Sequence, residues 1–152
     1  MSKTSRLSTG LTGIAGEYFV GAELSRRGYV ASITLRNTRG IDILASNSDA
    51  TKSVGIQVKT NQGRGKKWIL NAKIEEDIAT NLFFVFVCLN DLDAPEYHIV
   101  PRADVVKYVS EDHKQWLSKP GRKGQVHKDN SIRNFADSEQ KYLNRWELLE
   151  LD

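Results

Sequence analysis

The stretch that most constrains this chain runs from Ile41 to Thr60. Ile41-Asp42-Ile43-Leu44-Ala45 and Val54-Gly55-Ile56-Gln57-Val58-Lys59-Thr60 each alternate β-branched or other apolar residues with something else at period two. Polar residues bound both, so the pattern is two strands joined by a hairpin connection over Ser46–Ser53. On the second strand Ile56 and Val58 take one face, and Gln57 and Lys59 the other. On the first, Ile41 and Ile43 oppose Asp42. An acid, an amide and an amine thus stand on strands whose other residues are those of a core. Polar side chains are costly to bury without partners, so these three need a chemical reason.

Upstream, residues 1–10 form a polar, Ser/Thr-rich lead-in that is expected to be mobile. Leu11 to Arg27 has helical periodicity. Leu11, Ile14, Ala15, Tyr18 and Ala22 form one apolar stripe, which Gly13, Val20, Gly21 and Leu24 widen. Glu17 falls inside the widened arc and is predicted to face inward, whereas Glu23 and Arg27 form an i,i+4 pair on the polar side. Gly28 closes the helix, Tyr29–Leu35 reads as a strand, and residues 36–40 as a polar turn.

Downstream of Lys59, Asn61-Gln62-Gly63-Arg64-Gly65-Lys66-Lys67 is a basic loop, followed by a short strand or anchor at Trp68–Leu70. Residues 72–80 are weakly helical. Leu82–Leu89 is apolar on both faces, as expected of a central strand covered above and below, and Cys88 within it reads as a small core residue. A strand at Glu96–Val100 and a short helix at Arg102–Val109 complete a core over residues 11–109. Residues 110–152 contain a second basic loop, Lys119-Pro120-Gly121-Arg122-Lys123-Gly124, then scattered apolar residues that pack an extension back on the same single domain. His98, His113 and His127 read as structural or solvated.

At 152 residues the chain suits one domain. Its 22 basic residues nearly balance 19 acidic ones, so net charge alone does not select a nucleic-acid partner, and the local basic loops carry that argument. One cysteine excludes an internal disulfide framework, and no stretch is apolar enough for a membrane span. The expected compartment is the cytoplasm.

The order helix, three strands, weak helix, strand, strand, helix predicts an α/β fold with a central mixed sheet and helices on both faces. In it Glu17, Asp42, Gln57 and Lys59 make chemical sense together. Mg²⁺ prefers oxygen ligands and is usually held by one or two carboxylates with waters and substrate phosphate. Asp42 can anchor it, Gln57 can offer its amide oxygen, and Lys59 can orient an attacking water or neutralise phosphate charge.

Gly16-Glu17 in the first helix, Gly40-Ile41-Asp42 entering a strand and Gln57-Val58-Lys59 on the next resemble the PD-(D/E)XK nuclease superfamily, which includes type II restriction enzymes, Mrr-like nucleases and archaeal Holliday-junction resolvases. The resemblance covers about the first ninety residues. It implies a restriction-endonuclease-like αβββαβ core, with Asp42, Gln57 and Glu17 as metal ligands and Lys59 as the catalytic lysine. Mg²⁺ is the implied cofactor, and Mn²⁺ is expected to substitute. Ile41 stands where the superfamily often has Pro, and Gln57 where Glu or Asp is more usual; Gln-x-Lys versions resemble those of Mrr-like and some homing nucleases.

The function this implies is metal-dependent endonucleolytic hydrolysis of duplex or branched DNA, with Arg64, Lys66, Lys67, Arg122 and Lys123 contacting the backbone. A homodimer or higher assembly would serve two-strand cleavage. The alternatives are a DNA-binding module that has kept the fold and lost cleavage, and an interaction protein of a defence or mobile-element system.

Overall fold

The computed structural model describes residues 5–35, 40–76 and 79–152. Its first element, helix α1 (Thr9–Arg26), is capped at its N-terminus by Ser8, whose side chain accepts from the Leu11 amide. The expected lead-in is shorter than ten residues. Ser5 and Leu7 already hydrogen-bond to the Gln62 side chain through their backbones. At the other end Gly28 adopts φ +91°, which lets the Gly28 and Tyr29 amides turn back onto the Ser25 and Leu24 carbonyls. That is the left-handed cap the glycine was expected to provide.

Five strands build the central sheet: β1 (Val30–Ile33), β2 (Ile43–Ser46), β3 (Ser53–Asn61), β5 (Leu82–Cys88) and β6 (Glu96–Pro101), in the spatial order β1-β2-β3-β5-β6. The first three form an antiparallel meander, β5 runs parallel to β3, and β6 returns antiparallel. Between β3 and β5 lie β4 (Lys67–Asn71) and one turn of 3-10 helix at Ala72–Glu75, which is what the described residues form of the weak helix expected there. Residues 77–78 of that expectation, and the polar turn over 36–39, lie outside the described residues.

Period-two alternation on β5 divides the core in two. Phe83, Val85 and Val87 join Ile56, Val58, Ile99 and the α1 residues Val20 and Leu24 on one face. Trp146, Leu149 and Leu151 close that side, so the chain's end packs back as expected. On the other face Phe84, Phe86 and Cys88 meet Trp68 and Leu70 of β4, Phe135 of β7 (Ile132–Ala136), and Val105 and Val109 of helix α2 (Arg102–Ser118). Strands β4 and β7 form a separate antiparallel pair lying over the sheet. The Phe86 and Phe135 rings stack at 4.4 Å, and the Trp68 indole donates to the Val87 carbonyl at 3.1 Å. No helix among the described residues is long and apolar enough to cross a membrane.

Two departures from the sequence pattern have physical causes. Helix α1 buries Val20 and Leu24 from the edge of the expected arc together with Gly16, about half a revolution from the centre of the stripe, where Leu11 and Tyr18 are 58% and 65% exposed. The reason is close approach. A Cβ on Gly16 would sit 1.8 Å from Thr60 Oγ1, so only the glycine face can rest on β3. Helix α2 runs past Val109 to Ser118; its last turns contribute no buried residue, so the apolar pattern did not announce them.

Candidate active site

Asp42 lies just before β2, where β2 and β3 part. Its amide donates to the Ile56 carbonyl at 2.8 Å, which continues the ladder one step beyond Ile43. The next strand amide, that of Val58, finds the Asp42 carboxylate instead of a backbone carbonyl, Oδ2 accepting at 2.7 Å. A side chain thus replaces the main chain as acceptor, and the strands can separate without orphaning a donor. Thr34, just past β1, secures the splayed segment: its amide donates to the Asp42 carbonyl at 2.9 Å and its hydroxyl to the Ile41 carbonyl at 2.6 Å. Sequence reasoning missed Thr34, and a hydroxyl residue at the end of a strand is a faint signal.

Val58 is flanked by Gln57 and Lys59, so the hydrogen bond fixes the acid beside the strand that carries both. Those two side chains emerge on the face opposite α1. They line a cleft of about 670 Å³ with Gly40, Ile41, Asn71 and Lys73, under the 3-10 turn. Arg102, at the start of α2, also borders this cleft and holds its rim by donating to the Ile74 and Glu76 carbonyls at 3.1 and 3.0 Å. Lys59 is half-buried and pairs with no carboxylate among the described residues. Gln57 and Lys59 therefore share the cleft, while Asp42, bonded to the amide of the residue between them, does not itself line it. Glu17 is half-buried on α1 directly after Gly16, whose contact is Thr60, the neighbour of Lys59. It does not line the cleft.

The donor set suits a hard divalent cation. Asp42 has one carboxylate oxygen not engaged by Val58, and Gln57 contributes an amide oxygen. Among the described residues no three His, Cys, Asp or Glu side chains cluster to hold a metal by themselves. Water and phosphate oxygens would complete the shell, as Mg²⁺ commonly requires.

The five basic residues expected at the DNA backbone divide. Arg64 pairs with Asp93, and Lys66 with Glu96; the hydrogen bond from Lys66 holds the Glu96 carboxyl below its ordinary 4.5. Lys67, Arg122 and Lys123 are exposed and pair with no carboxylate among the described residues. His98, read as structural, is fully buried with Nδ1 2.6 Å from Asp137 Oδ2. Asp137 also accepts from the Lys141 and Tyr142 amides, a structural role no local motif announces.

A mixed sheet whose second and third strands part over an acid and a Gln-x-Lys strand, with helices on both faces, defines a class. The chain has a restriction-endonuclease-like fold. Among solved structures it is similar to a bacterial homing endonuclease, at 13% identity over 95% of this chain and 92% of that one, with a TM-score of 0.55. It is also similar to Hjc, a Holliday junction resolvase from the archaeal hyperthermophile Archaeoglobus fulgidus, at 16% identity over 83% and 84% of the two chains, with a TM-score of 0.48. These likenesses are of fold. No protein-family model and no curated protein sequence matches the chain.

Proposed function

We propose that the protein is a divalent-metal-dependent DNA endonuclease of restriction or resolvase type. The observation that carries this reading is the Asp42–Val58 hydrogen bond, which ties an acid to the strand whose Gln57 and Lys59 line the cleft. Asp42 and Gln57, with Glu17 from α1, would hold Mg²⁺ or Mn²⁺. The bound cation would polarise the scissile phosphate and lower the pKa of an attacking water. Lys59 would orient that water and offset the charge that develops on the phosphate, a task suited to an ammonium that pairs with no carboxylate among the described residues. Of the five basic residues expected at the DNA backbone, Lys67, Arg122 and Lys123 are the proposed contacts, since Arg64 and Lys66 are engaged by Asp93 and Glu96. Two-strand cleavage would take a homodimer or higher assembly, since one chain supplies one site.

The neutral Gln57 amide favours one second reading, a nuclease fold that binds DNA without cutting it. The experiment is incubation of the protein with labelled duplex, single-stranded and four-way-junction DNA, in Mg²⁺, Mn²⁺ or EDTA, alongside Lys59→Met. Metal-dependent products that vanish in the variant support the nuclease. Binding without products on any substrate supports the second reading. Neither binding nor products would leave the interaction-protein alternative.

A further inference from the structure

Helix α1 rests on β3 through Gly16, and the apolar stripe read in the sequence is left facing outward. Leu11 and Tyr18 align there at the i,i+7 spacing. Ile14 and Tyr18 share their side of the helix with Gly21, and a Cβ on Gly21 would lie 3.9 Å from Ile33 Cδ1 of β1. The stripe therefore continues onto the edge of the sheet.

The two edges of that sheet are finished differently. Along β6 the chain seals its own edge: the Ile99 amide donates to the Tyr142 carbonyl at 3.0 Å, and the Asn144 amide to the Tyr97 carbonyl at 2.8 Å. Strand β1 has no such cover among the described residues. The Thr34 amide faces β2, so alternation turns Ser32 and Val30 the same way and points the amides and carbonyls of Ala31 and Ile33 outward. Proteins commonly blunt such an edge with charge or proline, yet Tyr29 to Leu35 contains neither. Apolar side chains flank the edge on both faces. Ile33 lies on the α1 face at 44% exposure, and Val30 and Leu44 lie on the face of Gln57 and Lys59 at 53% and 50%.

We infer that the β1 edge and the adjoining α1 stripe form the surface on which a second copy of this chain docks, β1 pairing antiparallel with its symmetry mate. Outward backbone donors and acceptors are satisfied by another strand. The lack of cations disfavours a phosphate backbone there, and the lack of charge of either sign lets two identical surfaces approach without repulsion. An antiparallel edge is complementary to itself, as a two-fold interface requires. The choice of a second copy over an unrelated strand rests on the nuclease reading, in which one chain supplies one site. The axis of such a pair stands perpendicular to the sheet, so both Gln57–Lys59 clefts open on one face of a continuous ten-stranded sheet. Five strand spacings of about 4.8 Å put the two β3 strands about 24 Å apart, and one bound DNA faces both sites.

The test is sedimentation velocity from about 1 to about 100 μM, without DNA or metal, with far-UV circular dichroism of each protein. The wild type should reach twice the chain mass. Ile33→Lys, Ile33→Glu and Tyr18→Lys should each weaken association at least about tenfold, the Ile33 variants because like charges meet across the axis. An equimolar mixture of the Lys and Glu variants should recover the dimer, which also shows that both are folded. Leu92→Lys, 89% exposed on the β5–β6 turn, should associate as the wild type does. A wild type that stays monomeric, a dimer that Ile33→Lys or Tyr18→Lys leaves intact, or no recovery on mixing would overturn the inference. The two readings fail separately. A dimer weakened at Ile33 in a protein that cuts no DNA removes only the nuclease reading, and metal-dependent cleavage by a monomeric wild type removes only this interface.

Discussion

Replacing Asp42 by Ala and by Asn separates what the acid does for the fold from what it does for chemistry. In the alanine variant the Val58 amide loses its acceptor at a part-buried point where β2 has already turned away. A charge-assisted hydrogen bond of this kind contributes about 1.5–3 kcal/mol, and an orphaned amide costs a similar amount. We expect Asp42→Ala to lose about 2 kcal/mol. At about 2.1 cal/mol/K per residue, the 152-residue chain has an unfolding entropy of about 0.32 kcal/mol/K, so Tm should fall by about 6 °C. Asn presents a carbonyl oxygen at the same reach and keeps a neutral bond, so Asp42→Asn should lose under about 1 kcal/mol. Both variants should be inactive in metal-dependent cleavage, because neither retains the carboxylate. Urea and thermal unfolding at neutral pH, run beside the cleavage assay, measure this. Equal stability of the two variants would refute the assignment of the Val58 bond, and cleavage by Asp42→Asn would refute the role of the charge.

Gly16→Ala reverses the usual gain of about 1 kcal/mol for that exchange in a helix, because the new methyl collides with Thr60; a loss of about 1–3 kcal/mol on urea unfolding is expected, partly restored by Thr60→Ala. Gln57→Glu adds a carboxylate to the donor set and should lower the Mg²⁺ concentration at half-maximal cleavage, whereas an unchanged or higher value would place Gln57 outside the metal shell. Lys66→Met tests the Glu96 pair. The depressed Glu96 carboxyl contributes stability that is fully present above its ordinary 4.5 and lost as pH falls through the folded value. The stability gap between wild type and variant should therefore be wide at about pH 7 and shrink at about pH 3, and a gap that widens in acid would contradict it.

What could be read from the sequence was whatever repeats at short range. The two-sided apolar run of β5 and the alternation on β3 located the sheet and placed Gln57 and Lys59 together on one face. Asp42 was found because an acid interrupts an otherwise apolar strand. The working face of α1 was only partly legible: Val20 and Leu24 stood at the edge of the expected arc, but its centre was misplaced because Gly16, which carries no apolar side chain, sits closest to Thr60, while the bulkier Leu11 and Tyr18 point outward. Nor could local patterning tell which cations are already spent: the partners of Arg64 and Lys66, Asp93 and Glu96, stand some thirty residues downstream. Strand β7 escaped for the same reason, because its apolar residues, Ile132 and Phe135, make sense only against β4.

The β4–β7 pairing bears on how the protein comes to be folded. Strands β2 and β3 meet across a short hairpin, so the seat of Asp42 can form as soon as that segment leaves the ribosome. Strand β4 waits for a partner more than sixty residues later, and long-range pairing of this kind pays its loop-closure entropy before contacts reward it. Until β7 arrives, Trp68 and Leu70 and the sheet face bearing Phe84 and Phe86 lack their cover. Newly made chains thus pass through a stage in which the strands bearing Gln57 and Lys59 are built while a broad aromatic surface is bare, the condition under which nascent proteins self-associate or engage chaperones.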